Sequence, residues 1–407
     1  MENAQFGRSL LKEFRLKEGT TFLNHGSYGS VPNEVFEKRI SLLEEVESHP
    51  DLFFRVNLEP FWMDNIRAIS KVLGANPDNL VFVNNTTTGI NAVMRSVALS
   101  PGDEILCYTW QYRAVYNTCV YAARQKGAEV KVLDIRTPIV TTQEIVDKYD
   151  KFLAKNPKVK IAVLDYISSC PSVLMPIKEL IAVCKKHNVM SMVDGAHVPG
   201  QIQINLEELG ADFFAGNLHK WMFVPRGCAV LWVDPKHQKD IRPCVTSSHL
   251  DGPHFYKDFL RQGTVDDSPF HCVQESLAFI ERIGGMDAII EHNSKLADQA
   301  ADLLADLLGT KKFDVPKEME SPFLRMVRLP DMKKYPARKE TSDDFTSAVG
   351  DIAELHNDIM ERFKIQTVSL YVHSEPWIRL SAQVYNDLED IRKLADAILT
   401  LKAEETE

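Results

Sequence analysis

An aspartate and a lysine near the middle of the chain carry the clearest chemical signal in this sequence. Residues 189–193 are apolar and predict a buried parallel strand that delivers Asp194 at its carboxyl end, which is where α/β sheets place their ligand sites. A second short run, residues 212–215, leads into a turn that carries His219 and Lys220. We therefore expect Asp194 and Lys220 to face one crevice.

The chemistry of these two side chains points to a particular cofactor. A lysine that condenses with an aldehyde must be neutral part of the time, and an aspartate beside a pyridine nitrogen keeps that nitrogen protonated as an electron sink. Pyridoxal phosphate needs both groups. The alternative is an ordinary βαβ unit in which Lys220 lies on the surface and Asp194 caps the following turn. These two residues alone leave both interpretations open.

The amino-acid sequence around these residues resembles that of a known family. The stretch DGAHVPG at residues 194–200, followed by HKW at residues 219–221, resembles the pyridoxal-phosphate enzymes of fold type I in the class V aminotransferase family. Within that family the chain is most similar to the isopenicillin N epimerase-like branch. The resemblance extends over nearly the whole chain, from residue 23 to residue 381.

The resemblance implies a role for each residue of these two stretches. Lys220 binds the aldehyde of pyridoxal 5'-phosphate covalently, and Asp194 pairs with the pyridine nitrogen. His197 lies near the phenolic oxygen of the ring. His219 lies near the phosphate, and so does Asn217, which stands where the family usually has a serine.

Composition bounds the fold and the partners. A chain of 407 residues can bury a large core and suggests more than one structural unit. The formal charge of −10 and the lack of a basic block argue against nucleic acid or an anionic membrane as the main partner. Seven cysteines without CxxC or CxxH spacing predict free thiols and no metal site.

The cellular location is predicted from the amino terminus and from hydropathy. Acidic and polar residues interrupt positions 1–14, where a secretory signal would be apolar, and no apolar stretch reaches about 18 residues. We expect an intracellular protein, in the cytoplasm and with the nucleus as a second candidate compartment.

An entry loop near the amino terminus contains substrate-binding candidates. Two glycines and a proline in residues 25–32 predict a loop with unusual backbone angles. The resemblance places this segment across the mouth of the active site, although a plain strand-to-helix turn is the alternative. The candidates that bind substrate are Asn24, His25, Gly26 and Ser27. Arg55 is a further candidate, because the branch directs such an arginine toward a substrate carboxylate, while a surface position fits equally well.

A phosphate site is predicted where residues 80–83, an apolar strand, lead through a polar turn into a helix. A helix amino terminus with hydroxyl groups and free N–H groups binds anions. The expected contacts are Thr87, Thr88 and Gly89. A simple helix cap is the alternative, and the proximity of Lys220 and Asp194 favours the phosphate site.

The loops after the next two strands are expected to hold the cofactor ring. Residues 103–108 predict a strand that leads to Tyr112, and the resemblance places a stacking residue there, with Trp110 as the competing candidate. A tyrosine on the ring face also offers a phenol for proton transfer. After the apolar strand 161–167, Ser168 or Ser169 is expected to bind the phenolic oxygen, and the choice between them stays open.

The resemblance also implies the domain organisation, a mixed α/β fold. Residues 1–50 form a segment that covers the active-site mouth and joins the small domain. Residues 51–267 form the large cofactor-binding domain, with a mainly parallel seven-stranded sheet in which residues 226–233 supply the antiparallel strand. Residues 268–407 form an α+β small domain, in which residues 329–344 are the best candidate for a linker or mobile loop.

Two further features concern the partner subunit and the substrate. Gly263 and Thr264 resemble the segment that reaches the phosphate of a neighbouring subunit's cofactor, which implies a homodimer with shared active sites. Arg379 lies in a predicted strand, and the family uses this arginine to hold the α-carboxylate of an amino-acid substrate. Arginine binds a carboxylate bidentately, which lysine cannot do.

Among reactions of this family we rank carbon–sulfur cleavage by β-elimination first, of the cysteine desulfhydrase or hercynylcysteine sulfoxide lyase type, giving pyruvate, ammonia and a sulfur product. Residues 323–407 contain no cysteine, whereas desulfurases carry a nucleophilic cysteine on a loop there. An amino-acid epimerase or an aminotransferase is the second hypothesis. A catalytically silent binding protein is a third, but it should have lost Lys220 or Asp194.

Overall fold

The structure is a computed structural model that describes residues 6–336 and 349–405. Within these residues thirteen strands form three sheets. The strands are β1 (Thr21–Phe22), β2 (Leu80–Val83), β3 (Glu104–Tyr108), β4 (Glu129–Leu133), β5 (Val159–Asp165), β6 (Met190–Asp194), β7 (Phe213–Asn217), β8 (Ala229–Val233), β9 (Leu324–Arg328), β10 (Val349–Asp351), β11 (Ile365–Gln366), β12 (Val368–Val372) and β13 (Glu375–Ser381).

Helices cover the sheets and supply the segments between the strands. They are α1 (His25–Tyr28), α2 (Asn33–Ser48), α3 (Pro50–Leu52), α4 (Leu58–Leu73), α5 (Thr86–Ser96), α6 (Arg113–Lys126), α7 (Thr142–Lys155), α8 (Ile177–Lys186), α9 (Leu206–Leu209), α10 (Phe255–Leu260), α11 (Val273–Arg282), α12 (Gly285–Leu308), α13 (Ala353–Phe363) and α14 (Leu388–Ala403). No helix of the described residues is long and apolar enough to span a bilayer.

The large sheet has seven strands in the order β2-β8-β7-β6-β5-β3-β4. Strand β8 runs antiparallel to both of its neighbours, and the other pairs are parallel. Its central strands β5, β6 and β7 are almost entirely buried, as expected for apolar strands covered by helices on both faces. The predicted mixed α/β fold with one antiparallel strand is confirmed.

The carboxyl-terminal part is built on a second sheet of four antiparallel strands, in the order β10-β12-β13-β9. Helices α12, α13 and α14 pack on it around a core that includes Leu304, Leu355 and Leu394. Strand β1 pairs in parallel with β11, so the amino-terminal segment is attached to this part of the chain. The domain limits after residues 50 and 267 stay a prediction.

Two details concern the carboxyl-terminal part of the chain. Its first helical segment begins as a 3-10 turn, Ser268–Cys272, and becomes α-helical only at Val273. Pro269 lies in this first turn and has no N–H to donate, which suits a helix start better than a helix interior. Of the predicted linker at residues 329–344, residues 337–344 lie outside the described residues.

Candidate active site

A cavity of about 420 Å³ opens where three strands of the large sheet end. Asp165, Asp194 and Asn217 are the last residues of β5, β6 and β7, and all three line it. The cavity therefore lies at the edge where parallel sheets bind ligands. Predicted site residues that line it are Gly26, Ser27, Thr87, Tyr112, Ser169, Asp194, His197, Asn217, His219 and Lys220.

The amine of Lys220 lies 3.1 Å from Nε2 of His197. The lysine follows β7 in a turn, and the histidine follows β6, so neighbouring strand ends bring them together. Burial and the positive charge of Arg379 lower the pKa of Lys220 to about 7. A substantial fraction of this amine is therefore neutral at neutral pH, as condensation with an aldehyde requires.

The tautomer of His197 follows from its other neighbour, Trp221. The indole N–H of Trp221 lies 3.4 Å from Nδ1 of His197 and can only donate, so Nδ1 accepts. Burial and the positive charge of Lys220 lower the pKa of His197 well below its ordinary value. The neutral imidazole then carries its proton on Nε2, which donates to the neutral amine of Lys220.

His25 has a different place from the one predicted for it. Its side chain is fully buried and does not line the cavity. Nε2 donates to the backbone oxygen of Lys220 at 2.7 Å, and Nδ1 accepts from the hydroxyl of Tyr385 at 2.7 Å. Burial lowers the pKa of His25 to about 3. The prediction of a substrate contact is corrected, because His25 has both nitrogens engaged in holding the turn that carries Lys220.

Asp194 ends β6 with its carboxyl group buried beside the cavity. Its Oδ1 accepts from the backbone N–H of Ala196 at 3.0 Å, and burial raises its pKa to about 6. Sequence reasoning missed a second acid here, Asp165. Asp165 also follows an apolar run to a strand end, so the rule that found Asp194 applied equally to it.

The amino terminus of α5 faces the cavity through Thr86 and Thr87. Thr86 donates its N–H to Oδ1 of Asn217 at 3.0 Å, and its hydroxyl is buried without a partner among the described residues. Asn217 thus ties the end of β7 to the start of α5. Thr86 was not among the predicted phosphate contacts, although it is the first residue of α5.

Thr88 and Gly89 were predicted to contact a phosphate, and neither lines the cavity. The N–H and hydroxyl of Thr88 both donate to Oδ1 of Asn85, at 2.8 and 3.1 Å, so this threonine is used in capping the helix. Gly89 is buried one turn in, where an added Cβ would lie 3.2 Å from the Cβ of Ala215. Its small size serves helix-to-sheet packing.

His219 lines the cavity in a neutral form. Nδ1 lies 3.0 Å from the backbone oxygen of Cys228 and must donate to it. Burial lowers the pKa of His219 to about 4. Nε2 therefore carries no proton at neutral pH, and His219 must take up a proton before it can donate to a phosphate.

Arg379 lies on β13 and is buried. One of its terminal nitrogens donates to Asn24 at 3.0 Å and to Ser27 at 2.7 Å, and the other donates to the hydroxyl of Ser169 at 3.2 Å. Its Nε has no partner, and no carboxylate of the described residues lies within ion-pair distance of it. The guanidinium is thus oriented by neutral groups, and Asn24 acts through it.

The two serines after β5 are distinguished by the structure. The hydroxyl of Ser168 is buried and donates to the backbone oxygen of Pro171. Ser169 lines the cavity and accepts from Arg379. Of the two candidates only Ser169 is placed to meet a ligand.

The structure also distinguishes the two aromatic residues that were candidates for stacking on the cofactor ring, Trp110 and Tyr112. Trp110 is buried and donates to His373 at 3.0 Å, so it belongs to the core. Tyr112 precedes α6, lines the cavity and is 50% exposed. The structure therefore places Tyr112, and not Trp110, where a ring could stack.

Two predicted residues lie away from the cavity of their own chain. Arg55 belongs to a π-helical turn, Phe53–Asn57, whose buried residue is Phe53, and Arg55 pairs on the exposed side with Asp51 at 2.5 Å. Arg55 therefore does not reach the cavity of its own chain, and its contact with a substrate carboxylate stays a prediction. Thr264 is exposed, and its contact with a partner's cofactor stays a prediction.

The residues present fit pyridoxal phosphate. Asp194 can face a ring nitrogen, Lys220 has a partly neutral amine, and Nε2–H of His197 can donate to a phenolic oxygen. The start of α5 offers the unpartnered hydroxyl of Thr86 to a phosphate. Nε of Arg379 is a second buried polar atom that lacks a partner. A phosphate at the start of α5 would satisfy the Thr86 hydroxyl, whereas Arg379 does not itself line the cavity and is connected to it through Ser27 and Ser169.

Comparisons with known proteins agree with this fit. A family profile described as Aminotransferase class-V matches residues 62–394. An L-cysteine desulfhydrase-like protein, lolT1 of Epichloe uncinata, is 28% identical over 97% of this chain and 95% of its own length. The hercynylcysteine sulfoxide lyase of Schizosaccharomyces pombe is 30% identical over 77% of this chain and 82% of its own length. The isopenicillin N epimerase of Streptomyces clavuligerus is 26% identical over 94% of this chain and 95% of its own.

Solved structures share the fold. The apo structure of a cysteine desulfurase from Thermococcus onnurineus NA1 superposes with a TM-score of 0.76 at 16% identity, covering 99% of this chain and 100% of that one. The predicted family and its epimerase-like branch are confirmed. The chain therefore belongs to the class V aminotransferases, the fold type I enzymes that use pyridoxal phosphate.

Proposed function

We propose that the protein is a carbon–sulfur lyase that cleaves a cysteine-derived amino acid by β-elimination into pyruvate, ammonia and a sulfur product. The main observation in favour of an amino-acid substrate is the buried guanidinium of Arg379, which lies beside the cavity of Lys220. This guanidinium has no carboxylate partner among the described residues. A buried unpaired charge is costly, so a substrate carboxylate that pairs with it binds favourably.

The proposed role of each residue follows from its charge and its hydrogen bonds. Pyridoxal phosphate, when bound, supplies the electron sink that makes the α-proton of the amino acid acidic. Arg379 holds the carboxylate, and Asn24 and Ser27 hold Arg379. Lys220, with a pKa of about 7, is a base of suitable strength for the α-proton at neutral pH. His197 orients that amine through Nε2.

Departure of sulfur requires a proton at the β-substituent, and Tyr112 is placed to provide it. Burial raises the pKa of Tyr112 above its ordinary value, so the phenol is protonated at neutral pH. Tyr112 lines the cavity and is half exposed to solvent. The C–S bond breaks with both electrons on sulfur, which accepts the phenolic proton, and water later hydrolyses the product to pyruvate and ammonia.

Sulfur transfer through a cysteine persulfide is disfavoured. Residues 323–407 contain no cysteine. Cys170 lies near the site, with Sγ 3.9 Å from a terminal nitrogen of Arg379. Burial raises the pKa of Cys170, which keeps it a thiol at neutral pH and weak as a nucleophile. The names of two relatives, a cysteine desulfhydrase-like protein and a sulfoxide lyase, support elimination instead.

The second candidate is an amino-acid epimerase, and Tyr112 is again the specific observation. Tyr112 and Lys220 both line the cavity, and an epimerase would need them on opposite sides of the α-carbon so that the phenol returns a proton with inverted configuration. An aminotransferase would use the same residues. A binding protein without catalytic activity is the remote candidate. It should have lost Lys220 or Asp194, and the presence of both in the cavity argues against it.

The proposed assembly is a homodimer in which Gly263 and Thr264 reach the neighbouring site. Residues 53–58 and the loop 259–267 meet at a small surface cleft. Val265, which lines this cleft, is 55% exposed, and Leu52 and Val56, which lie beside Phe54 in the chain, are 44% and 59% exposed. Such a patch is typical of a surface covered by a partner. The cytoplasmic location stays a prediction.

The proposal is tested by following products from cysteine, S-substituted cysteines and their sulfoxides. Purified enzyme should release pyruvate and ammonia in equal amounts from at least one of them, and Lys220→Ala should release neither. Solvent deuterium in the recovered amino acid, or its inverted isomer, without pyruvate from any substrate would refute elimination and favour the epimerase.

A further inference from the structure

Asp165 is a second carboxylate in the cavity, and none of the roles above uses it. It ends β5 and is the register partner of Asp194, which ends β6. Register partners on neighbouring strands point to the same face of the sheet, so the two carboxyl groups are neighbours. Both are buried and both line the cavity.

Few cations face this pair. The hydroxyl of Tyr108 donates to Oδ2 of Asp165 at 2.8 Å, and the amide of Gln111 donates to Oδ1 at 2.5 Å. The titratable groups that face the two acids from the surrounding elements are Tyr108 and Cys107 on β3, Tyr149 on α7, Tyr112 before α6, and Lys220 after β7. Burial raises the pKa of each tyrosine, and a hydrogen bond with Cys119 together with burial raises the pKa of Cys107, so these groups are neutral.

Asp165 and Asp194 lie near only one cationic group, Lys220, which is charged only part of the time. Ionising both carboxyl groups at once therefore costs free energy. Burial raises the pKa of Asp194, and burial together with the charge of Asp194 raises the pKa of Asp165 well above its ordinary value. Two acids that share a site titrate as a unit, with one proton held much more tightly than the other.

We propose that Asp165 and Asp194 form one proton-binding unit that holds a single proton in the cofactor-free protein, and that Asp165 is the positioning residue that keeps a proton on the cofactor's ring nitrogen. This inference rests on the proposed contact between Asp194 and that nitrogen. Asp165 acts through Asp194, because its negative charge raises the proton affinity of any base bound there.

The proton balance makes the inference specific. Before binding, one carboxyl group of the unit is protonated and the other ionised, for a charge of −1. After binding, the same proton is on the ring nitrogen and both carboxylates are ionised, so the total charge is unchanged and solvent supplies no proton. With asparagine at position 165, Asp194 alone is already ionised, and the ring nitrogen must take its proton from solvent.

The test counts protons when pyridoxal phosphate binds to the cofactor-free, full-length protein at pH 8. Calorimetry in buffers of different ionisation enthalpy gives the number taken up. Asp165→Asn keeps a partner for Tyr108 and for Gln111, and it should take up about one more proton per site than the wild type. Its affinity should also fall by up to about tenfold for each further pH unit. Equal proton counts would overturn the inference, because a purely structural Asp165 would not change them.

A second measurement examines the pair without the cofactor. Because the folded-state pKa of Asp165 is raised, the native protein binds more protons than the unfolded chain, and the wild-type folding constant falls as pH rises above about 4. Asp165→Asn should remove that fall, which reaches about tenfold per pH unit for one proton.

Asp212→Asn is the matched control, since Asp212 is another buried acid and immediately precedes β7 of the same sheet. Burial opposes its charge, but His237 and Lys236 hold its pKa well below the usual range. Its variant should therefore be less stable at neutral pH, which is the opposite sign. A wild-type pH profile for Asp165→Asn would refute the proton-binding unit. A changed profile with unchanged proton uptake would refute the link to the ring nitrogen and place the error in the Asp194 assignment.

Discussion

His197 and Lys220 meet at 3.1 Å between Nε2 and Nζ, and the direction of that hydrogen bond is set by a third residue, Trp221. Because the indole N–H can only donate, it assigns the imidazole proton to Nε2 and leaves the lysine to accept. The backbone of the same lysine is held by His25. Two neutral histidines thus fix Lys220 at both ends while its amine stays available for chemistry.

Lys220→Ala should abolish covalent attachment of the cofactor. Wild-type protein should be yellow, absorbing near ~420 nm, and borohydride should fix the cofactor to the lysine. The rate of attachment should rise as pH increases through about 7, the pKa of Lys220, because the neutral amine reacts. Lys186→Ala, which removes an exposed lysine paired with Asp150, is the control. A borohydride-stable label at full strength in Lys220→Ala would show the assignment to be wrong.

Trp221→Phe should move the pH profile of attachment upward. Without the indole donor the imidazole can carry its proton on Nδ1, and Nε2 then accepts from the charged lysine, which favours the ammonium form. A shift of roughly one pH unit is expected, since a hydrogen bond contributes about 1 kcal/mol.

Trp62→Phe is the matched control for this change, because the Trp62 indole is equally buried but its N–H has no partner among the described residues. Both variants lose similar volume, and only Trp221→Phe should change the pH profile. The same profile in both variants would mean that the indole does not set the tautomer.

Arg379→Lys should raise KM for the amino acid with little effect on kcat. Lysine cannot form the bidentate pair, and a charged hydrogen bond is worth about 1.5 to 3 kcal/mol, or roughly a tenfold to hundredfold change. Arg325→Lys provides the comparison. Arg325 is buried on the neighbouring strand β9 but already pairs with Asp298. If both variants bind substrate as the wild type does, the carboxylate lies elsewhere.

Tyr112→Phe should lower kcat by roughly a hundredfold while the cofactor spectrum stays nearly intact. The ring still stacks, but the proton donor for the leaving sulfur is gone. Steady-state kinetics should show the largest loss of kcat with a substrate whose sulfur substituent is a poor leaving group. Tyr121→Phe, an exposed tyrosine on α6, should behave as the wild type. Unchanged kcat in Tyr112→Phe would assign the proton to another group.

A mixture of Lys220→Ala and Thr264→Arg should recover activity that neither variant has alone. In a hybrid dimer both defects fall in one of the two shared sites, and the other site is intact. The measurement is activity after mixing, unfolding and refolding, compared with each variant treated alone. A fully active monomer at assay concentration would contradict the shared sites.

Much of the fold could be predicted because apolar runs report buried strands directly. The predicted strand at residues 80–83 coincides with β2, and the runs before Asp194 and before Lys220 became β6 and β7 within two residues. The residues at strand ends were correctly expected to meet, since parallel strands deliver them to one edge. The family resemblance added the antiparallel strand β8, which hydrophobic pattern alone does not reveal.

The site was predicted less completely, because neighbouring residues of one loop point in different directions. His25 and Gly26 are adjacent, yet the histidine turns inward to Lys220 and the glycine lines the cavity. Ser168 and Ser169 are also adjacent, yet the first donates to the backbone of its own loop and the second accepts from Arg379. A loop has no periodicity from which the direction of a side chain can be read, and only packing against the rest of the chain sets it.

The sequence by itself determined the order of strands and helices, the strand-end residue Asp194, Lys220 in the turn after the next strand, and the family. Tertiary structure decided which groups are charged. Lys220 is partly neutral because it is buried near Arg379, and His219 is neutral because burial lowers its pKa to about 4. Desolvation and charge proximity depend on distances between residues far apart in the chain, so no local pattern contains them.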